Sequence, residues 1–71
     1  MAKNLRIWIG RRIRVLRTKR GWTQQMLADH AEISREHLSE LENGKWDATA
    51  KLIQKVAGAL GIGLEEFFRG S

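Results

Sequence analysis

The chain has 71 residues, 13 basic and 8 acidic, for a formal charge of +5, with no cysteine and no proline. That length holds one domain, burying only about 60% of the surface its unfolded chain exposes, and leaves little room for an enzyme's deep substrate cleft. No cysteine means no disulfide framework, thiolate metal site or thiol catalysis, and no apolar run approaches the roughly 18 residues of a membrane span. A reducing cytoplasm is the expected compartment, and 42% hydrophobic residues without proline favour an all-helical domain.

Met1 to Ala28 carries eight basic residues and no acid, whereas five basic and eight acidic residues follow from Asp29 onward. A positive half invites polyanions, nucleic acid first and an anionic membrane surface second; the bland alternative is charge for solubility. Leu5, Ile9, Ile13 and Leu16 form one stripe at helical spacing, which predicts a core-facing first helix rather than a transit peptide or membrane-surface helix. Lys19, Arg20 and Gly21 suit its end.

Thr23 is the expected N-cap of a second helix, Gln24 to about His30, with Leu27 and Ala28 inward. Ala31-Glu32-Ile33 forms a turn, and Ser34 caps a third helix from Arg35 to Glu42, ended by Asn43-Gly44. Lys45 to Ala48 is a loop. A fourth helix is predicted over Thr49–Leu60, with Ile53, Val56, Ala57 and Leu60 inward and Gly61 closing it, and a short fifth over Leu64–Phe68. Residues 69–71 are expected to form a frayed tail, and Gly70-Ser71 has the look of a cloning remnant.

The second and third helices, joined by about three residues with Ala28 small enough for a steep crossing, have the geometry of a helix-turn-helix spanning about residues 23–43. In that geometry the later helix enters the DNA major groove. With Leu38 and Leu41 inward, its outer face is Glu36, Ser39, Glu40 and Asn43, flanked by Arg35. Read alone, that face is either a DNA-reading surface or an ordinary solvated one. His30 and His37 show no metal-ligand spacing with carboxylates, no Ser/His/Asp arrangement or phosphate-cradling glycine loop exists, and neither catalysis nor a cofactor is expected. Phe67 and Phe68 are expected to split, one inward and one toward a partner chain.

Three blocks, RIRxLRxxRGxTQ (Arg12–Gln24), IS…LSxLENGK (Ile33–Lys45) and KVAxALGI (Lys55–Ile62), resemble the Cro/phage-repressor (Xre-like) helix-turn-helix family without gaps from about Ile9 to Phe68. The resemblance implies a five-helix, lambda-repressor-like domain that binds operator DNA as a two-fold homodimer. It also implies base reading by Arg35, Glu36, Ser39 and Glu40. Arg35 suits guanine O6/N7, and the glutamates suit cytosine N4. Phosphate anchors are expected from Thr23, Gln24, Ser34, His37, Asn43 and Lys45, through helix N-termini and side-chain donors. Arg17 and Glu42 match positions that form a buried ion pair tying helix one to the end of helix three.

The chain departs from the family pattern at Glu32, where glycine is favoured in the turn, at Ala48, where proline is usual, and in a loop whose only basic residue is Lys45. A left-handed Glu32 would cost about 1 kcal/mol. The expected function is a sequence-specific transcriptional regulator controlled by its own concentration, with double-stranded DNA as partner and no membrane. RNA polymerase or a toxin protein are further candidate partners. The alternative is a protein-interaction module on the same fold.

Overall fold

Each helix of the chain begins and ends on its own local signal. The computed structural model describes residues 3–69 as α1 (Lys3–Lys19), α2 (Gln24–Ala31), α3 (Arg35–Glu42), α4 (Ala50–Ala59) and α5 (Leu64–Arg69), with no strand among the described residues. Three hydroxyl caps open the middle helices: Thr23 Oγ1 accepts from the Met26 N–H, Ser34 Oγ from His37 and Thr49 Oγ1 from Leu52, at 3.0–3.2 Å. Thr49 and Leu60 are therefore caps of α4 rather than members of it.

The first four helices end in one recurring closure. An N–H beyond the helix reaches back to a carbonyl five residues earlier: Trp22 to Arg17, Ile33 to Ala28, Lys45 to Glu40 and Ile62 to Ala57, all at 3.0–3.1 Å. This closure needs a left-handed residue in between. Gly21, Gly44 and Gly61 supply it with φ of 71–76°, but in the turn between α2 and α3 it falls on Glu32, at φ 59°. The Cβ of a non-glycine residue costs on the order of 1–2 kcal/mol there.

Ile9, Ile13, Leu27, Leu38, Leu41, Val56 and Phe67 make the fully buried centre, with Ala28 at 0% exposure where α2 crosses α3. Phe67 lies edge-on to Trp8 at 6.2 Å, Phe68, 46% exposed, stacks parallel to that indole at 5.9 Å, and the two phenylalanines meet edge-on at 5.1 Å. Phe67 is thus the inward member of the pair and Phe68 the exposed one. Leu5 is not inward: it is 43% exposed, because the first turn of α1 runs past the elements that cover Ile9 and Ile13. Trp22, at the position before TQ where the family resemblance expects a core residue, is half-buried and packs against the core, with the His30 ring and the Arg20 guanidinium each 4.5 Å from its centre. Arg69 is the last residue of α5 and pairs with Glu65 at 2.9 Å; Gly70-Ser71 lie outside the described residues.

A contact without sequence expectation governs how α1 meets α3. A Cβ on Gly10 would lie 2.5 Å from the Glu42 carbonyl oxygen and 2.6 Å from that of Leu41. A mid-helix glycine costs about 1 kcal/mol against alanine, and here it lets two backbones touch. Arginines of α1 and of the turn that follows it tie down the other helices. Arg12 donates to the carbonyls of Phe67 (2.8 Å) and Glu66 (3.1 Å), and Arg20 to that of Leu60 (3.0 Å). These carbonyls belong to the last turn of α5 and the C-cap of α4, where cations are favoured. Among the described residues no helix is long and apolar enough to cross a membrane.

Two substitutions test these backbone constraints in chemical denaturation. Glu32→Gly should raise stability by about 0.5–1 kcal/mol, the relief of the left-handed strain less the added freedom of the unfolded chain. Gly10→Ala should lower it by about 1–3 kcal/mol, as overpacking does where the opposing atoms are backbone.

Candidate nucleic-acid interface

The orientation of α3 is set from beneath by Glu42. Its side chain is wholly buried, and its two oxygens take a forked pair of bonds from Arg17, Nε to Oε2 at 2.7 Å and Nη2 to Oε1 at 3.1 Å. Arg17 also donates from Nη1 to the Trp22 carbonyl at 2.8 Å, which ties the α1–α2 corner into the same cluster. Gln24 Nε2 donates to Glu42 Oε1 at 3.1 Å, and the more exposed Arg14 lies 3.5 Å away. A buried carboxylate is tolerable only when it is paired and hydrogen-bonded in this way.

With Leu38, Leu41 and Glu42 facing inward, helical geometry turns the other side of α3 to solvent. Arg35 and Glu36 are exposed in its first turn, and Arg35 makes no bond to any other described residue. Ser39 and Glu40 are half-buried further along, and Asn43 and Lys45 are exposed beyond the end. At the helix starts, Thr23 and Ser34 cap the third helical N–H of α2 and α3. The first N–H groups of each helix have no intrahelical acceptor, which suits them to an anion. His37 is half-buried in the first turn of α3, and its N–H is held by Ser34.

Beyond the two capping hydroxyls, Gln24 and Glu40 also have side-chain partners within the chain. The Gln24 amide serves Glu42, which leaves its second N–H and its oxygen for other contacts. Glu40 Oε1 accepts from the Trp46 indole N–H at 2.8 Å, and Glu40 Oε2 lies 4.0 Å from Lys45 Nζ. One of its oxygens is therefore engaged within the chain, while the other keeps its acceptor capacity. Sequence reading also missed Gly10, Arg12 and Arg14. Gly10 had a legible signal, a glycine inside a helical pattern; the Glu40–Trp46 bond, across a helix end and a turn, had none.

The family model described as helix-turn-helix matches residues 13–67. The competence pilus inhibition repressor of Acinetobacter baylyi is 38% identical over 60 residues, 84% of this chain and 54% of that protein. The immunity repressor protein of Bacillus phage phi105 is 39% identical over 54 residues, 76% of this chain and 38% of that repressor. The chain thus spans about half or less of the length of these two relatives. Among solved structures, the restriction-modification controller protein C.AhdI from Aeromonas hydrophila superposes with a TM-score of 0.83 at 34% identity, covering 87% of this chain and 94% of the controller.

The buried cluster generates a stability prediction. Arg17→Ala should cost about 3–5 kcal/mol, because Glu42 keeps its burial and loses its charge partner. The double change Arg17→Met with Glu42→Leu should recover much of that loss. A double-mutant cycle built on urea unfolding checks this, and coupling near zero would contradict the pairing.

Proposed function

The chain belongs to the helix-turn-helix family of Cro/phage-repressor (Xre-like) transcriptional regulators, and we propose that it binds a pseudo-palindromic operator as a homodimer with α3 in the major groove. The observation that carries this reading is the two-sidedness of α3. One side is fixed to α1 by a buried carboxylate and a backbone contact at Gly10, and the other presents an exposed, unpaired arginine in its first turn.

In this reading Arg35 donates two parallel bonds to a guanine, while Glu36 and Ser39 take neighbouring base edges. Thr23, Gln24, Ser34, His37, Asn43 and Lys45 hold the phosphate backbone through N–H groups and side-chain donors. The exposed aromatic surface of Phe68 stacked on Trp8, with Val15 43% exposed on the same helix as Trp8, supplies a self-association surface next to α5. Two half-sites multiply the modest affinity of one small module. The likeness to a controller protein and two repressors supports regulation by operator occupancy in the cell interior.

Selecting bound sites from a random DNA pool tests the proposal; it should enrich a sequence with two related halves. On that duplex Arg35→Ala should cost about 1–3 kcal/mol and relax discrimination at one base pair per half-site, with a far smaller loss on scrambled DNA. Arg35→Lys should fall between, since it keeps the charge and loses the fork. Equal losses on both duplexes would assign Arg35 to the backbone. A pool that enriches nothing would favour the protein-interaction reading.

A further inference from the structure

Trp46 stands 51% exposed in the loop after α3, in a chain whose other tryptophans are both half-buried. It is nevertheless fixed. Its indole N–H donates to Glu40 Oε1 at 2.8 Å, and the other oxygen of that carboxylate faces Lys45 Nζ at 4.0 Å. Glu40 belongs to the outward stripe Glu36–Ser39–Glu40–Asn43, so the bond brings the indole alongside the face that presents Arg35. The bond satisfies the ring's only donor. What remains for a ligand is the apolar edge and face of the ring.

Resting on the DNA-binding reading above, we propose that Trp46 is a specificity-determining residue that packs against the C5-methyl group of a pyrimidine in the major groove, and that Glu40 is the positioning residue that holds it there. The major groove offers one apolar feature to such a ring, the thymine methyl, and 5-methylcytosine carries the same group. Reading cytosine N4 would require an open carboxylate oxygen at Glu40. Oε1 holds the indole N–H, while Oε2, 4.0 Å from Lys45 Nζ, has no hydrogen bond among the described residues; in this proposal the carboxylate serves the ring. Lys45, beside the same carboxylate, remains exposed and within reach of the backbone.

The test uses the duplex selected by the wild-type chain, with each thymine replaced in turn by deoxyuridine, titrated at one salt concentration. Losing one buried methyl should weaken wild-type binding about fourfold at one thymine per half-site. Cytosine at that position should bind more weakly than 5-methylcytosine. Trp46→Ala should bind the thymine and deoxyuridine duplexes alike. Glu40→Gln keeps an oxygen for the indole and should retain the discrimination, whereas Glu40→Ala should lose it. Thermal melts of each variant check that these exposed changes leave the fold intact.

Indifference of the wild type to every methyl would overturn the proposal, as would discrimination that persists in Trp46→Ala. A Glu40→Gln variant that changes preference at a C·G pair would make Glu40 a direct reader and overturn it as well. Arg35→Ala on the same duplexes separates the two levels. If its selective loss is present while methyl sensitivity is absent, only the role of Trp46 fails; if wild-type protein binds selected and scrambled duplexes equally, the DNA reading fails with it.

Discussion

A single buried carboxylate sets the arrangement on which the rest of this molecule depends. Glu42 sits at the last turn of α3 with no exposed side-chain surface and is met by Arg17 through a forked pair of bonds. Burying both charges costs several kcal/mol in lost hydration, and their attraction roughly offsets it only because Gln24 and the Trp22 carbonyl satisfy the remaining groups. Net stabilisation is therefore small. What the pair contributes is a fixed rotation of α3, since any turn of the helix about its axis would break the fork. The absent side chain of Gly10 makes the approach possible, letting α1 rest on the carbonyls of Leu41 and Glu42.

The cationic first half of the chain has a second meaning in this light. Its eight basic residues look like a field for a polyanion, yet Arg6, Arg12, Arg14, Arg17 and Arg20 are all engaged within the molecule. Arg12 and Arg20 hold the carbonyl ends of α5 and α4, and Arg6 lies 3.5 Å from Asp47. In a small domain with no disulfide, α1 works as a spine from which charged arms reach the other helices. The positive charge still contributes to long-range attraction, but the short-range contacts proposed for DNA fall on α2, α3 and the loop that follows.

Much of the fold is legible in the residues because its signals are local. Ser34 and Asn43-Gly44 bracket α3 at its observed bounds, and Thr23 and Thr49 announce the starts of α2 and α4. The left-handed turn at Glu32 follows from the same closure that glycine serves three times elsewhere. What the sequence hides is non-local. The place of Arg17 opposite Glu42 came from a family resemblance, since nothing in a spacing of 25 residues announces it. The close approach at Gly10, the reach of Arg12 to α5 and the capture of Glu40 by Trp46 depend on how the helices cross. Helical periodicity also misplaced Leu5, because a stripe records which side of a helix is apolar and not how far its neighbours extend.

In the DNA-binding reading proposed above, the buried pair serves orientation more than stability, and that orientation makes α3 selective. Titrating the apolar double variant, Arg17→Met with Glu42→Leu, against selected and scrambled duplexes at one salt concentration tests this most directly, because the change leaves net charge untouched. The account predicts a folded protein whose affinity for scrambled DNA is kept while its preference for the selected duplex falls. A folded variant with undiminished preference would show that packing alone orients α3, and would contradict the account.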